Sequence, residues 1–203
     1  MYNESFSVME MNLVNALELR ILVEGRNLGR GILKVDSFVN HQVDPMLMRE
    51  CAQELARRFQ ADRPTKVLTA EISGIAPALL TALELNVPVV YARKHKPLTM
   101  PDTVFLTTAP SHTKGNYVDL MVSPEYLGAT ERVVIIDDFL ASGQTIMGLI
   151  RLAQAAGSRV IGVGALIEKT FEGGREVLEA VGMKVESLAR ITSMTDDRIV
   201  FAE

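Results

Sequence analysis

The chain has no tryptophan, one cysteine, three histidines and only 5% aromatic side chains among its 203 residues. Each scarcity narrows the field. A lone cysteine, Cys51, excludes an intramolecular disulfide and fits a reducing cytoplasm. It stands at helical spacing with Leu47, Leu55 and Phe59, which places it in a core and not in a reactive site. His41, His95 and His112 lie far apart and match no zinc-ligand spacing. The longest apolar runs are strand-sized, so no segment is expected to span a membrane. The first residues lack the charged-then-apolar order of a secretory signal. Met9 and Met11 are alternative starts, so residues before Asn12 read as a tail. Basic charge is also short: 21 Lys and Arg against 25 Asp and Glu leave a net charge of −4. That balance argues against nucleic acid as the main partner. Repeats and low-complexity tracts are missing. What is plentiful is hydrophobic residues, 48%, ample for a packed core in a single domain spanning 1–203.

The apolar pattern alternates between strand and helix periods. Residues 12–24 read as a helix with Leu13, Leu17 and Ile21 on one face, stopped by Gly25. Ile32–Asp36 reads as a short strand. Asp44-Pro45 is a strong helix start, an acidic cap followed by proline at the first helical position, and that helix runs to about Arg58. Strands follow at Lys66–Ala70, Val87–Ala92, Val133–Ile136, Val160–Ile167 and Lys184–Ala189. Helices fall between them at Ile75–Leu85, Ile146–Ala156 and Phe171–Val181. This order predicts an α/β fold with a parallel sheet of about five strands flanked by helices. Two parts break the rhythm. Residues 97–123 read as a hairpin with a mobile tip near Ser111–Asn116, and a loop this long in a compact domain is often functional. Residues 26–44 and 190–203 do not extend the pattern and are expected to form a small hood.

Three segments carry chemistry. The first is VVIIDDFLASGQT, residues 133–145. Four apolar residues run into adjacent carboxylates, Asp137 and Asp138, then into the small residues Ala141, Ser142 and Gly143, with Gln144 and Thr145 opening a helix. In open parallel sheets ligands bind beyond the carboxyl ends of the strands. Small residues before a helix let backbone N–H groups reach a phosphate. Carboxylates would repel that phosphate, but they suit ribose hydroxyls or a metal ion. Together the two parts spell a sugar phosphate. The second segment, AEISGIAP at residues 70–77, puts Ser73 and Gly74 between strand and helix, a second anion loop or a common turn. The third, YARKHK at residues 91–96, crowds Arg93, Lys94 and Lys96 at a strand's carboxyl end. Such cations suit a pyrophosphate leaving group, or form a solvated basic turn.

These segments resemble the type I phosphoribosyltransferases. The resemblance implies that Asp137 and Asp138 meet the ribose hydroxyls of phosphoribosyl pyrophosphate (PRPP) and that Ala141–Thr145 cradle its 5-phosphate. It further implies that Ser73, Gly74, Arg93, Lys94 and Lys96 bind pyrophosphate. A flexible loop near Ser111–Lys114 would close over PRPP, and a hood would hold the base. Mg²⁺ is implied as a cofactor held mainly by PRPP and not by a protein-only cage, and a homodimer is implied as the assembly. Phe139 departs from the family, which usually has a small aliphatic residue there.

Three features bear on the base. Where the hypoxanthine-guanine enzymes have an Asp that takes up a proton near the purine imidazole, this chain has Ala141. The run LIEKTFEGGREVL, residues 166–178, resembles the adenine enzymes but carries Lys169, which donates hydrogen bonds and cannot accept them. Lys169 would pair with a 6-oxo group and clash with a 6-amino group. Finally, ILKVDSFVNHQVDP, residues 32–45, together with the other segments, closely resembles the bacterial xanthine phosphoribosyltransferases, from about Leu17 to Val200. By that resemblance Leu33, Asn40 and Lys169 contact the base. Xanthine is partly anionic near neutral pH, so an enzyme for it needs no Asp and gains from a cation. The reading that follows is xanthine and PRPP converted to xanthosine 5′-monophosphate in purine salvage. The alternatives are a guanine/hypoxanthine or adenine transferase, or a PRPP-sensing purine regulator without transferase activity.

Overall fold

Val67 and Leu68, the run Val133–Ile136, and Val163 with Ala165–Ile167 are all buried. They have this in common because their strands lie in the interior of a parallel sheet, covered on both faces. The computed structural model describes residues 13–110, 117–195 and 198–202. In chain order its elements are α1 (Leu13–Glu24), β1 (Arg26–Asn27), β2 (Leu33–Lys34), α2 (Pro45–Phe59), β3 (Lys66–Ala70) and α3 (Ile75–Leu85). Then come β4 (Val89–Ala92), β5 (Phe105–Pro110), β6 (Tyr117–Val122), β7 (Arg132–Leu140), α4 (Gln144–Ala155), β8 (Arg159–Lys169), α5 (Gly174–Glu179), β9 (Val185–Thr195) and β10 (Arg198–Phe201).

The main sheet has the order β10-β9-β8-β7-β3-β4. Its first five members in sequence (β3, β4, β7, β8 and β9) are mutually parallel, and β10 adds an antiparallel edge. This is the expected α/β architecture with one strand more. Side chains alternate along β7, so Val134 and Ile136 join one core and Val133 and Ile135 the other. The first core takes Leu17, Ile21, Leu55 and Phe59 from α1 and α2; the second takes Leu149, Leu152 and Ala153 from α4. Cys51 lies in the first core, where burial, and then the charge of Glu50, push its thiol up to about 12.

Helix α2 begins as its sequence predicts. Asp44 caps it, accepting from Met46 N at 3.1 Å and Leu47 N at 3.2 Å, with Pro45 at the first position. The hood is the β1–β2 ribbon and a single wide helical turn at Asp36–Asn40, anchored in the first core by Val35, Phe38 and Val39. The C-terminal segment differs from its expected place in the hood. It continues β9 to Thr195 and returns as β10, because an antiparallel partner covers what would be an exposed sheet edge. Ile199 and Phe201 still pack on the same core as the hood's Phe38. Residues Phe171–Val181 are not one helix. A 3₁₀ turn at Thr170–Glu172 is broken by Gly173 at φ +75°, and only α5 follows. Residues 105–122 include the expected antiparallel hairpin, Phe105 pairing with Val122 and Pro110 with Tyr117. Its tip, with Ser111–Lys114, lies outside the described residues.

Candidate active site

A cleft of about 960 Å³ opens at the carboxyl ends of β3, β7 and β8, under the hood and beside the β5–β6 hairpin. Its floor carries Asp137 and Asp138. These carboxylates lie inside β7 and not beyond it as expected, because β7 keeps pairing with β8 past them: Asp137 opposite Ala165, Phe139 opposite Ile167, Leu140 opposite Glu168. Both are buried, and Asp138 N donates to the Asp137 carboxylate at 3.0 Å. Burial, and then the charge of Asp138, push the Asp137 carboxyl well above the ordinary carboxylate range, while Lys94 pulls it back. Like charges so close oppose one another, which favours the protonated form of Asp137. Carboxyl oxygens of this kind suit sugar hydroxyls.

Ala141, Gly143, Gln144 and Thr145 line the cleft next to this pair, and Ser142 stands between them in the loop. Gly143 is the N-cap of α4 at φ +75°, and no side chain caps that helix. Its first N–H groups are therefore available for an anion. The loop rests on α5. A Cβ on Gly143 would come within 3.2 Å of Gly174 O, and a Cβ on Gly174 would collide with Ala141 O and lie 2.8 Å from Gly143 N. Beyond Gly174, Arg175 reaches Glu168, at the end of β8, through two hydrogen bonds of 2.8 and 2.6 Å. Glu168 is 1% accessible, and Arg190 adds a third contact at 3.4 Å. Burial alone would raise the Glu168 carboxyl, but its bonds to Arg175 and Ser187 and the nearby guanidinium charges hold it below its usual value.

On the β3 side Ser73 lines the cleft, and Gly74 is packed beneath it. A Cβ on Gly74 would clash with Thr69 Oγ1 and stand 2.5 Å from Asp137 Oδ1, so only glycine lets this loop lie on the acidic pair. Glu71 ties the loop to the basic turn. It accepts from Lys94 N at 2.6 Å and pairs with Arg93 at 2.9 Å. Of the three cations expected for pyrophosphate, only Lys94 lines the cleft. Arg93 is held by Glu71 and lies over the Tyr91 ring, and Lys96 pairs with Asp102 at 3.3 Å. Each of these two cations thus has a carboxylate partner, Glu71 for Arg93 and Asp102 for Lys96.

The far end of the cleft is lined by Leu33 and Asn40 from the hood and by Phe139 and Lys169 from the sheet. Lys169 Nζ donates to Gly31 O at 2.7 Å and to Glu172 Oε1 at 3.1 Å, and it stands 5.6 Å from the Phe139 ring centroid. The structure thus brings Asp137, Asp138, Ala141, Gly143, Gln144, Thr145, Ser73, Lys94, Leu33, Asn40 and Lys169 to one cavity. Sequence reasoning did not single out Glu71, Gly174, the Glu168–Arg175 pair or Glu172. The Gly-Gly-Arg of residues 173–175 was the available signal. Among the described residues no group of His, Cys, Asp or Glu is arranged to hold a metal ion by itself.

A model of the phosphoribosyl transferase domain matches residues 35–191. The chain belongs to this family. Within the family it is 49% identical over 185 residues to the xanthine phosphoribosyltransferase of Leuconostoc mesenteroides, covering 91% of this chain and 98% of that one. It is 48% identical over 187 residues to the xanthine phosphoribosyltransferase of Levilactobacillus brevis, covering 92% and 98%. The crystal structure of the adenine phosphoribosyltransferase of Giardia lamblia with 9-deazaadenine superposes with a TM-score of 0.72 over 89% of this chain and 98% of that one. Its identity is 22%, so that likeness is one of fold. The acidic pair and the loop that opens α4 lie within the matched residues.

Proposed function

We propose that the protein transfers the phosphoribosyl group of PRPP to xanthine, giving xanthosine 5′-monophosphate and pyrophosphate, as a purine-salvage enzyme of the cytoplasm. The observation that carries this reading is the pairing of Ala141 and Lys169 in one cleft. The wall that would need a carboxylate to deprotonate an oxopurine has none at residue 141, and a cation stands where the base would lie.

The steps follow from the residues. The uncapped start of α4 and loop 141–145 hold the 5-phosphate. The Asp137–Asp138 pair holds the ribose hydroxyls. Ser73 and Lys94 face the pyrophosphate. The bond from the anomeric carbon to the pyrophosphate oxygen breaks with its electrons going to pyrophosphate, and a base nitrogen bonds to the same carbon. The transition state is oxocarbenium-like, so the protein's contribution is positioning and electrostatics. Mg²⁺, when bound with PRPP, supplies positive charge that stabilises the leaving pyrophosphate. The donor set fits a metal whose other ligands are substrate oxygens, because the cleft offers one adjacent carboxylate pair. The hairpin arms, through Ala109, Pro110, Val118 and Leu120, wall the cleft where water must be excluded.

The working form is a homodimer in this reading, and the support is surface chemistry. Leu19, Leu22 and Val23 on α1 and Leu79 and Leu83 on α3 are exposed. Among the described residues no helix is long and apolar enough to cross a membrane.

A panel of xanthine, guanine, hypoxanthine and adenine tests the reading. Xanthine is expected to be the best acceptor and adenine inert. Lys169→Ala should lower kcat/KM for xanthine about tenfold to hundredfold, the worth of a charged hydrogen bond, with PRPP affinity nearly unchanged. Ala141→Asp should shift preference toward hypoxanthine or guanine. Adenine as preferred acceptor, or a Lys169→Ala variant that loses PRPP instead of base, would overturn the assignment.

A further inference from the structure

Glu71 is a carboxylate on the wall of a cleft suited to anions. It lines the cavity together with Ser73 and Lys94, and its side chain is only 15% accessible. A free carboxylate there would repel a pyrophosphate. Each of its oxygens instead has a partner. One accepts from Lys94 N at 2.6 Å, and the other pairs with Arg93 Nε at 2.9 Å. The Arg93 guanidinium offsets the charge, and the bond to a backbone N–H does not use the Lys94 ammonium.

The cause lies where the parallel ladder stops. β3 and β4 pair from Val67 with Val89 to Ala70 with Ala92, and Glu71 N then donates to Ala92 O at 3.1 Å. The evenly spaced rungs of a parallel ladder would continue with a bond from Lys94 N to Glu71 O. The chain turns away at Glu71 to form the loop that carries Ser73, and the Glu71 side chain takes the Lys94 N–H in place of its own carbonyl. A charged acceptor makes that bond stronger than the backbone rung it replaces. On its other side the basic turn is pinned to the hairpin: Arg93 N donates to Met121 O at 2.9 Å, and Met121 N donates to Arg93 O at 3.0 Å. Lys94 is thus clamped between β6 and the residue two places before Ser73. We propose that Glu71 is a positioning residue for the leaving-group end of the site, holding Lys94 and the Ser73 loop in one fixed relation so that both meet the same pyrophosphate. The role of Glu71 rests on the reading of Ser73 and Lys94 as pyrophosphate contacts, and it adds what keeps them together. The side-chain partners of Glu71 lie on the basic turn and not on the hood or loop 141–145, so its effect is confined to ligands that carry a pyrophosphate.

The test uses the full-length wild type, Glu71→Ala, Glu71→Gln, Lys94→Ala and the Glu71→Ala/Lys94→Ala double variant, assayed in both directions. Glu71→Ala is expected to lower kcat/KM for PRPP, and for pyrophosphate in the reverse reaction, about tenfold to hundredfold. KM for xanthine, and the affinity for xanthosine 5′-monophosphate measured by calorimetry without pyrophosphate, should change less than about twofold. Glu71→Gln keeps an oxygen that accepts from Lys94 N and should recover most of the loss. Because Glu71 acts through Lys94, the double variant should be no worse than Lys94→Ala alone, a coupling that independent sites do not show. Should Glu71→Ala fail to fold, Glu71→Met, of similar length but without a carboxylate, carries the same comparison. Losses that multiply in the double variant, an equal loss of xanthosine 5′-monophosphate binding, or a defect that excess Mg²⁺ repairs would each overturn the proposal; the last would make the carboxylate a partner of the metal. If Lys94→Ala left PRPP and pyrophosphate use intact, the reading of the pyrophosphate end would fall instead, and the two failures are thus distinguishable.

Discussion

At the scale of single residues, Asp137 is where folding and function pull in opposite directions. It is buried beneath Gly74 and beside Asp138, and its carboxyl is held well above the ordinary range by burial first and by Asp138 second. A carboxyl with a raised pKa binds its proton more tightly in the native state than in the unfolded chain. Its contribution to stability is complete below the ordinary carboxylate range and is lost as pH rises through the raised value. Asp137→Asn removes that loss. Thermal melts from pH 4 to pH 8 should show the variant gaining on the wild type as pH increases, while transfer activity falls sharply. Parallel melting curves at all pH values would contradict the assignment of Asp137 as the desolvated acid. Residue-scale legibility was good where neighbours in sequence are neighbours in the site. The acidic pair and loop 141–145 could be read directly, because strand, carboxylates and anion loop are contiguous. The basic turn was only partly legible. Sequence shows three cations but not which way each leaves the strand end, and Glu71 draws Arg93 away from the cleft. Glu172 escaped notice because the 3₁₀ turn that sets it beside Lys169 falls where the sequence reads as the start of a helix.

At the scale of elements, α5 does more than its six residues suggest. Its first residue supports the loop that opens α4, and its second neutralises the buried Glu168. Gly174→Ala should therefore raise KM for PRPP strongly with little effect on base affinity, since the new methyl meets Ala141 O and Gly143 N. Arg175→Ala should act on stability instead. Leaving Glu168 buried without its main partner costs about 3–5 kcal/mol, measurable by denaturant titration. Arg190→Ala should cost far less, because Arg190 is 43% accessible and its contact is longer. The order of elements was legible from α2 to β9 but not at β10, and β3 and α3 have the bounds that their periodicity gives. Strand ends were not. β7 and β9 run several residues past their apolar runs, because ladder hydrogen bonds with β8 hold polar residues as well as apolar ones. The helix read over 171–181 was interrupted by Gly173-Gly174, where the chain leaves the helical path to reach beneath the phosphate loop.

At the scale of the whole molecule, the hairpin and the helix that opens on the cleft are one mechanical unit. Arg151 of α4 donates to Thr107 Oγ1 at 3.1 Å and Thr108 O at 2.9 Å, and Gly148 packs against Leu120 and Ala109. The exposed apolar faces of α1 and α3 lie outside this unit, where a second copy can cover them. Sedimentation at micromolar concentration should give a dimer, and an active monomer there would count against that assembly. The bond from Lys169 to Gly31 closes the hood over the sheet across 138 positions of sequence. Contacts of such separation form late, after the entropy of closing a long loop has been overcome. The base end of the cleft is thus among the last parts of the molecule to exist during refolding. A chain with a finished sheet but an undocked hood has no place for a purine. Recovered turnover, measured after dilution from denaturant, is accordingly a clock for the final step of folding and should lag behind the return of helical signal.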